Sequence, residues 1–530
     1  MRPPTARDQV YESLRESLRV AGLGRGPWEG DPEGRTVAAI ADAVEHDLCS
    51  RLAALDVVET QRFAAGVLAA HADAQYRARV ARSPSPARAQ FHAESFTAWG
   101  VILEIAARRS VGVRRRHEPS ARDLEALGLL GSQLCHLRTV ADRVRSGLTI
   151  FEGARLTRDG LIRFDVSDRL PFRISRFEKA YFHRMANRDP ARGSVDVTLA
   201  AALVNVLREG ADIPEEFDDI DAAMRRDRGH GIVDLLAAFQ VMIRVSEFGE
   251  KDTVGYRFKD ASALDQAVRD NVRALVPHAD PDSAVAAGRK LVWSQDLLQR
   301  NDIDLFQYRS AEARLYSRPV LQFADETLMA PRGAQRMALL VWVSRLIEGT
   351  WPERLPPDDV NLKRSLDARR ERIRPIVGFE RELAAILDAT GLPYAVNIGT
   401  SQPDRPAAAI GVSVSTEIDA IVVVPHTRTI WVIEAKDSAA PFSARQIRGN
   451  LQKYFWAKKP YVRQLQLKVL DVAADPEIVA SRLGVGEHSG PFAVRGMFVT
   501  REPIPAAFHD DRVHEFVTID RLPAWLAKIT

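Results

Sequence analysis

Between Thr416 and Asp437 the chain contains two strongly apolar runs separated by four residues. The runs Ile418–Val424 and Thr429–Ile433 are rich in β-branched residues, and they flank Pro425-His426-Thr427-Arg428. This composition and spacing predict a β-hairpin with a four-residue loop. Because both runs are almost wholly apolar, we expect the hairpin to lie in a buried sheet.

Three charged residues interrupt this pattern at the open end of the hairpin. If the hairpin is symmetric about the His426–Thr427 bond, Asp419 lies directly opposite Glu434, about 5 Å away. Lys436 is two residues beyond Glu434 and therefore points to the same face. Opposed carboxylates repel unless a cation lies between them, and oxygen ligands suit Mg²⁺ or Mn²⁺. The pattern predicts a metal site, and the alternative is a surface hairpin with solvated side chains.

A helix is predicted upstream of the hairpin, from Pro375 to Thr390, and Gly391 ends it. Its apolar residues form one stripe, made of Ile376, Phe379, Leu383, Ile386 and Leu387. Glu380 lies at the edge of this stripe, closer to it than Glu382. We predict that Glu380 is a fourth member of the site, and the alternative is an exposed helix glutamate.

A second helix is predicted downstream, from Ser443 to Trp456, within a strongly basic stretch. From Arg445 to Leu470 there are seven Lys or Arg residues and no Asp or Glu. We expect the basic residues from Arg445 to Lys468 to hold a phosphate backbone, and the alternative is a solvated helix face. The predicted nucleic-acid contacts on this helix are Arg445, Gln446, Arg448, Gln452 and Lys453. The aromatic residues Tyr454, Phe455 and Trp456 are predicted to belong to the core and not to a base-stacking platform.

This order of elements resembles the PD-(D/E)XK nuclease superfamily, which includes restriction endonucleases and repair nucleases. The likeness covers residues from about 375 to 500 and depends on Glu417-Ile418-Asp419 followed by Val432-Ile433-Glu434-Ala435-Lys436. The chain departs from one family pattern, because Gln446 is followed four residues later by Asn450 instead of Tyr. Either Gln446 or Gln452 could support the site.

The resemblance implies a restriction-endonuclease-like α/β domain that hydrolyses phosphodiester bonds, more often in DNA than in RNA. It implies that Asp419, Glu434 and the Ala435 carbonyl bind Mg²⁺ or Mn²⁺, and that Glu380 reaches the metal directly or through water. The metal would polarise the phosphate and activate water. Lys436 would orient or help activate that water, or neutralise charge in the transition state.

The remaining chain predicts a multidomain protein. Residues 1–147 are expected to form an α-helical domain, 148–355 a mixed, mostly helical domain, and 370–530 the α/β domain with a central mixed sheet. The predicted helices outside the α/β domain are Val37–Leu55, Arg62–Val80, Asp123–Val144, Ser194–Arg208 and Gly231–Val245. Ser83-Pro84-Ser85-Pro86 predicts a turn or loop, and Arg158-Asp159-Gly160 predicts a hairpin turn. Two further basic clusters, from Arg108 to Arg116 and from Lys363 to Arg374, suit phosphates or a solvated surface.

Composition narrows the class of protein. The chain is 46% hydrophobic and 27% charged, with a net charge of +3, which is ordinary for a globular protein. Two cysteines, Cys49 and Cys135, argue against a disulfide framework or a cysteine-based zinc site. No signal peptide or membrane-spanning run is apparent, so a cytoplasmic location is expected. Zinc-protease, phosphate-loop and serine-hydrolase motifs are absent from the sequence.

Three functions follow from these patterns. The first is an active nuclease, such as a bacterial restriction or antiphage effector, whose helical N-terminal region binds DNA, a partner protein or a second copy of the chain. The second is a DNA-binding or scaffold protein with an inactive nuclease-like domain. The third is a DNA repair or recombination nuclease.

Overall fold

The computed structural model divides the chain into two compact units. Unit 1 comprises Met1–Arg145, Phe151–Val166 and Arg188–Ile373, and unit 2 comprises Ser146–Ile150, Ser167–Asn187 and Arg374–Thr530. The described residues are 5–24, 26–81, 97–107, 117–187, 203, 205–206, 212–248, 255–294, 296–297, 315–353, 355–376, 379–399, 409–438, 441, 443–486 and 491–529.

The described residues form the following helices and strands. The helices are α1 Ala6–Val20, α2 Arg35–Ala54, α3 Val57–Ala81, α4 Ala121–Arg145, α5 Ile174–Asn187, α6 Asp218–Arg228, α7 Ile232–Phe248, α8 Ala261–Leu275, α9 Pro281–Lys290, α10 Arg332–Ile347, α11 Val360–Ile376, α12 Phe379–Asp388, α13 Ala444–Leu451, α14 Tyr461–Ala473, α15 Pro476–Arg482 and α16 Leu522–Ile529. The strands are β1 Trp28–Glu29, β2 Thr149–Leu156, β3 Ile162–Asp168, β4 Gly255–Phe258, β5 Val292–Trp293, β6 Val320–Gln322, β7 Leu328–Pro331, β8 Tyr394–Ile398, β9 Ile418–Val424, β10 Thr429–Lys436, β11 Ala493–Thr500 and β12 Glu515–Thr518.

Unit 1 is mainly helical, which confirms the expected helical N-terminal region. Helices α2, α3, α4 and α7 match the predicted segments to within a few residues. The predicted turn at Gly160 joins β2 to β3, and this glycine has a φ of +74°, which is accessible to glycine without strain. The Ser83–Pro86 turn, the Arg108–Arg116 cluster and most of the Ser194–Arg208 helix lie outside the described residues. The structure thus joins in one unit most of two regions that the sequence predicted as separate domains.

The basic cluster on α11 has a partly structural use in unit 1. Arg369 is 3% exposed, and its guanidinium donates hydrogen bonds to the carbonyls of Leu346 and Ile347. Arg372 pairs with Asp219 at 3.1 Å. Buried Arg groups of this kind close helix ends, so this cluster does not present all its charges to a phosphate backbone.

Unit 2 is built around a five-stranded mixed sheet in the order β12-β11-β10-β9-β8. Strands β10, β11 and β12 are parallel neighbours, whereas β8, β9 and β10 pair antiparallel. The β9–β10 pairs run from Thr429 with Val424 to Ile433 with Ala420, which confirms the symmetric register expected from the sequence. The coarse expectation of a C-terminal α/β region with a mixed sheet is therefore confirmed.

The two faces of this sheet are covered by different helices, because alternate residues of each strand point to opposite sides. Ile421, Val423, Ile430 and Val432 lie in one buried cluster with Leu465 and other residues of α14. On the other face, Ala420, Val422, Trp431 and Ile433 lie in a second cluster with Phe379, Leu383 and Leu387 of α12. We call these the α14 face and the α12 face. By the same alternation along their strands, Asp419, Glu434 and Lys436 belong to the α14 face.

Helix α13 is fixed at both of its ends. Ser443 and Gln446 form a capping box, in which each side chain bonds the backbone N–H of the other residue, at 3.2 and 3.1 Å. Its buried residues Ile447 and Leu451 pack in a cluster with Phe177 of α5. After Leu451 the chain makes a π-helical turn, Gln452–Trp456, before α14 begins. The segment thus enters α14 in a defined orientation.

Candidate active site

The open end of the β9–β10 hairpin brings Asp419 and Glu434 to adjacent strands. The β9–β10 pairs end at Ala420 with Ile433, and Asp419 and Glu434 are the next residues of the two strands. The Ala435 backbone N–H donates a hydrogen bond to Asp419 Oδ2 at 2.6 Å. No described residue donates to Asp419 Oδ1. The carboxylate is therefore anchored by one oxygen and has the other available.

Glu434 is a buried carboxylate, 6% exposed, that contacts two ammonium groups. Lys436 Nζ lies 2.6 Å from Glu434 Oε1. Lys468 Nζ donates to Glu434 Oε2. Both oxygens of the carboxylate are thus engaged, which offsets the cost of burying its charge.

Lys468 is a site residue whose position the sequence does not predict correctly. The basic stretch predicts that it contacts a phosphate backbone, but it is 5% exposed and lies on the buried face of α14 with Leu465, Val469 and Val472. Its spacing from these residues follows the period of an amphipathic helix, so a lysine on the apolar stripe was the available signal. A charge is seldom buried unless it is paired, which predicts a carboxylate partner.

Asp419 has a strongly perturbed titration. Burial, and after it the negative charge of Glu434, raise the pKa of this carboxyl from 3.8 to about 7. Lys436, the Ala435 N–H and Lys468 oppose this rise in pKa. Perturbed carboxyls of this kind are concentrated at functional sites, although buried ion-pair networks also produce them.

Lys436 keeps its proton in this environment. Burial alone would lower the pKa of its ammonium, but the charge and hydrogen bond of Glu434, with the charge of Asp419, raise the pKa above its ordinary value. Its Nζ also lies 5.2 Å from the ring centroid of Tyr461. That ring packs edge-on against the Tyr454 ring, with the ring centroids 5.1 Å apart, so a pair of packed aromatic rings adjoins the ammonium.

Glu380 lies on α12, the helix that covers the opposite face of the sheet, and it is exposed. The neighbouring acid Glu382 accepts from Arg501 at 3.0 Å, and Arg501 also pairs with Asp437 at 2.7 Å. Arg501 lies over the Phe379 ring at 4.9 Å. Glu382 therefore belongs to a separate acid–base group on the α12 face, and a role for Glu380 at the metal stays a prediction.

The donor set at Asp419 and Glu434 fits a hard divalent cation in its chemistry. Within the described ranges, no three or more His, Cys, Asp or Glu side chains are grouped to hold a metal ion. Mg²⁺ commonly takes one or two carboxylates and leaves its other positions to water and substrate phosphate, so two acids are sufficient. Asp419 Oδ1 is available for this purpose, whereas Glu434 would have to exchange an ammonium contact for the cation.

The five predicted nucleic-acid contacts are all exposed on α13 and the π-helical turn; they are Arg445, Gln446, Arg448, Gln452 and Lys453. No ion pair between described residues includes Arg445, Arg448 or Lys453, so their charges face solvent. The amide of Gln446 is used in the capping box instead. This surface can therefore attract phosphates through three cations of one short segment.

The aromatic run at the π-helical turn divides between core and surface. Tyr454 is 1% exposed and Phe455 stacks on His509 with ring centroids 4.2 Å apart, which confirms their assignment to the core. Trp456 is 56% exposed, so the same expectation is wrong for this residue. A π-helical turn inserts one extra residue, which rotates the residues that follow away from the helical period read from the sequence.

Comparisons of this chain with protein-family models, with curated proteins and with solved structures gave no match. Among the helices that the structure describes, none has both the length and the apolar character needed to cross a membrane.

Proposed function

We propose that unit 2 is a metal-dependent nuclease that hydrolyses phosphodiester bonds, DNA being the favoured substrate. The observation that carries this proposal is the convergence of Asp419, Glu434 and Lys436 on one face at one end of the mixed sheet. The resemblance of their spacing to the PD-(D/E)XK pattern supports it. The proposal includes a cytoplasmic location.

In this proposal Asp419, Glu434 and the Ala435 carbonyl hold Mg²⁺ or Mn²⁺, which supplies Lewis-acid polarisation of the phosphate and a lower pKa for a bound water. Lys436 stays protonated, because its pKa is raised, and so acts as a fixed positive charge and not as a base. Its ammonium stabilises the negative charge that develops on the phosphate oxygens. The Tyr461 ring lies beside that ammonium, within the range of a cation–π attraction.

Substrate binding is assigned to the segment that joins α13 to α14. Arg445, Arg448 and Lys453 contact the phosphate backbone, while Trp456 offers an exposed ring to an unpaired base. Tyr461, only five residues after Trp456, lies beside Lys436. This short separation along the chain supports a substrate path from the basic helix to the reacting carboxylates.

A second candidate function is a nucleic-acid-binding or scaffold domain without activity. The observation that favours it is the pairing of both Glu434 oxygens with ammonium groups, since a neutral cluster of two acids and two lysines can be purely structural. The basic helix would then bind nucleic acid without cleaving it.

The test is cleavage of supercoiled plasmid, single-stranded DNA and RNA with Mg²⁺, with Mn²⁺ and with chelator. We expect cleavage that requires the metal and that falls by at least about 10²-fold in Glu434→Gln. Glu515→Gln, an exposed glutamate on β12, is the matched control and should cleave like the wild type. Metal-independent cleavage, or equal rates in Glu434→Gln and wild type, would contradict the nuclease assignment.

The biological role proposed with this activity is a restriction or antiphage effector, and the alternative is a repair or recombination nuclease. Only analogy at the level of fold separates the two. Phage plating efficiency and survival after DNA damage should be compared in cells that express wild type or Glu434→Gln. A difference in the first assay supports defence, and a difference in the second supports repair.

A further inference from the structure

Lys468 is a buried cation whose ammonium is directed at the carboxylate proposed to bind metal. Its side chain extends from the apolar face of α14 and donates to Glu434 Oε2, and the described residues offer its ammonium no other hydrogen bond. Lys436 engages the second oxygen, Oε1, of the same carboxylate. A divalent cation therefore cannot approach either oxygen without displacing or crowding an ammonium group.

When both carboxyls are ionised, the charges of this cluster balance without a metal. Ionised Asp419 and Glu434 contribute two negative charges, and Lys436 and Lys468 contribute two positive charges. A divalent cation added to the cluster would leave an excess of two positive charges in a partly buried place, where repulsion is weakly screened. A bound phosphodiester brings one negative charge, which would reduce this excess to one positive charge.

We propose that Lys468 is an internal competitor for the divalent cation, so that the site binds metal weakly until nucleic acid is present. This inference rests on the proposed nuclease function and adds a mode of regulation to it. Metal and substrate then bind cooperatively, because each relieves the electrostatic penalty of the other. Lys468 is a positioning residue in this scheme, since it acts on the reaction through Glu434.

The test is Mn²⁺ binding measured by electron paramagnetic resonance and by calorimetry in the full chain without nucleic acid. Lys468→Gln removes the charge but keeps an amide donor for Glu434, and Lys468→Met removes both. We expect each variant to bind Mn²⁺ at least about tenfold more tightly than wild type, because one repelling charge is gone. Lys468→Arg keeps the charge and should show no gain, and Lys528→Gln, at an exposed lysine of α16, is the control.

Cooperativity is measured by repeating the titration with a short phosphorothioate oligonucleotide that resists hydrolysis. The oligonucleotide should tighten Mn²⁺ binding to wild type by a larger factor than to Lys468→Gln. Circular dichroism identifies variants that have lost their fold. Unchanged or weaker Mn²⁺ binding in folded Lys468→Gln, or equal tightening by the oligonucleotide in both proteins, would overturn the proposal.

Parallel plasmid cleavage separates this inference from the proposed function. If Lys468→Gln binds Mn²⁺ more tightly and no variant cleaves plasmid, competition by Lys468 is supported and the nuclease assignment is contradicted. If wild type cleaves plasmid with metal and Lys468→Gln shows no gain of Mn²⁺ affinity, the nuclease assignment is supported and competition by Lys468 is contradicted.

Discussion

Two acid–base groups lie at the same end of the unit 2 sheet, one on each face, and they differ in burial. On the α14 face, Glu434 is 6% exposed and pairs with Lys436 and with Lys468. On the α12 face, Arg501 pairs with Glu382 and Asp437, whose side chains are 47% and 56% exposed. Exposed pairs contribute little to stability, whereas breaking a buried pair leaves a desolvated charge. Similar ion pairs therefore form a buried charged cluster on one face of the sheet and an exposed surface group on the other.

The largest expected effect is on stability. Glu434→Ala should lower the free energy of unfolding by about 3 to 5 kcal/mol, because it leaves the buried Lys468 ammonium without its carboxylate. Glu382→Ala, in the exposed group on the α12 face, should lower the free energy of unfolding by no more than about 1 kcal/mol. Urea unfolding in the presence of chelator measures both. Similar losses in the two variants would remove the distinction between the groups.

A double variant sharpens the same point. Glu434→Ala combined with Lys468→Met should recover much of the lost stability, because neither charge then remains buried alone. Additive losses would show that packing and not charge determines the cost.

The sequence predicted the hairpin part of this picture correctly and missed the helix part. The register followed from a symmetric four-residue loop, and strand alternation then placed Asp419, Glu434 and Lys436 together. The pairing of Lys468 with Glu434 was not predicted, because a helical period shows that a residue is buried but not which strand lies beneath it. The exposure of Trp456 depends on a π-helical turn that a regular period does not reveal. Long-range packing decides the position of Lys468, and a local departure from α-helical geometry decides that of Trp456.

The next effect concerns the rate of reaction. If the proposed reaction occurs, Lys436→Met should lower the cleavage rate by about 10²- to 10³-fold, because it removes the positive charge proposed to stabilise the developing phosphate charge. Arg501→Met, on the α12 face, should cleave within about threefold of wild type, because this side chain lies on the face opposite the proposed metal site. Single-turnover plasmid cleavage at saturating Mg²⁺ compares the two. Equal losses would place the reactive centre outside the α14 face.

A pH effect follows from Asp419. Its folded pKa of about 7 lies above its ordinary 3.8, so the folded state holds this proton more tightly than the unfolded state does. The associated stabilisation is fully present below pH 3.8 and is lost as pH rises through 7. Asp419→Asn does not titrate and keeps an acceptor for the Ala435 N–H. Without metal, the free energy of unfolding of Asp419→Asn relative to that of wild type should therefore increase by roughly 2 to 4 kcal/mol between acid pH and pH 8.

Urea unfolding of wild type and Asp419→Asn at several pH values, with chelator present, measures this gain. A difference between the two proteins that does not depend on pH would show that the buried carboxyl is not under electrostatic stress.

The smallest effect concerns substrate binding. Trp456→Ala should weaken binding of single-stranded DNA by about 1 to 3 kcal/mol, while Trp456→Phe should retain most of the affinity, because stacking requires only an aromatic face. Fluorescence anisotropy with single- and double-stranded oligonucleotides measures both variants. Equal weakening for the two DNA forms would argue against an unpaired base at this ring.

We propose that the α14 face binds a divalent cation between Asp419 and Glu434. Anomalous diffraction from crystals grown with Mn²⁺ and a phosphorothioate oligonucleotide would locate this cation. We expect one manganese peak within ligand distance, about 2.0 to 2.6 Å, of oxygens from both carboxylates, with the Lys468 ammonium moved away from Glu434. The absence of manganese there, with both lysines still on Glu434 while the oligonucleotide is bound, would contradict this proposal.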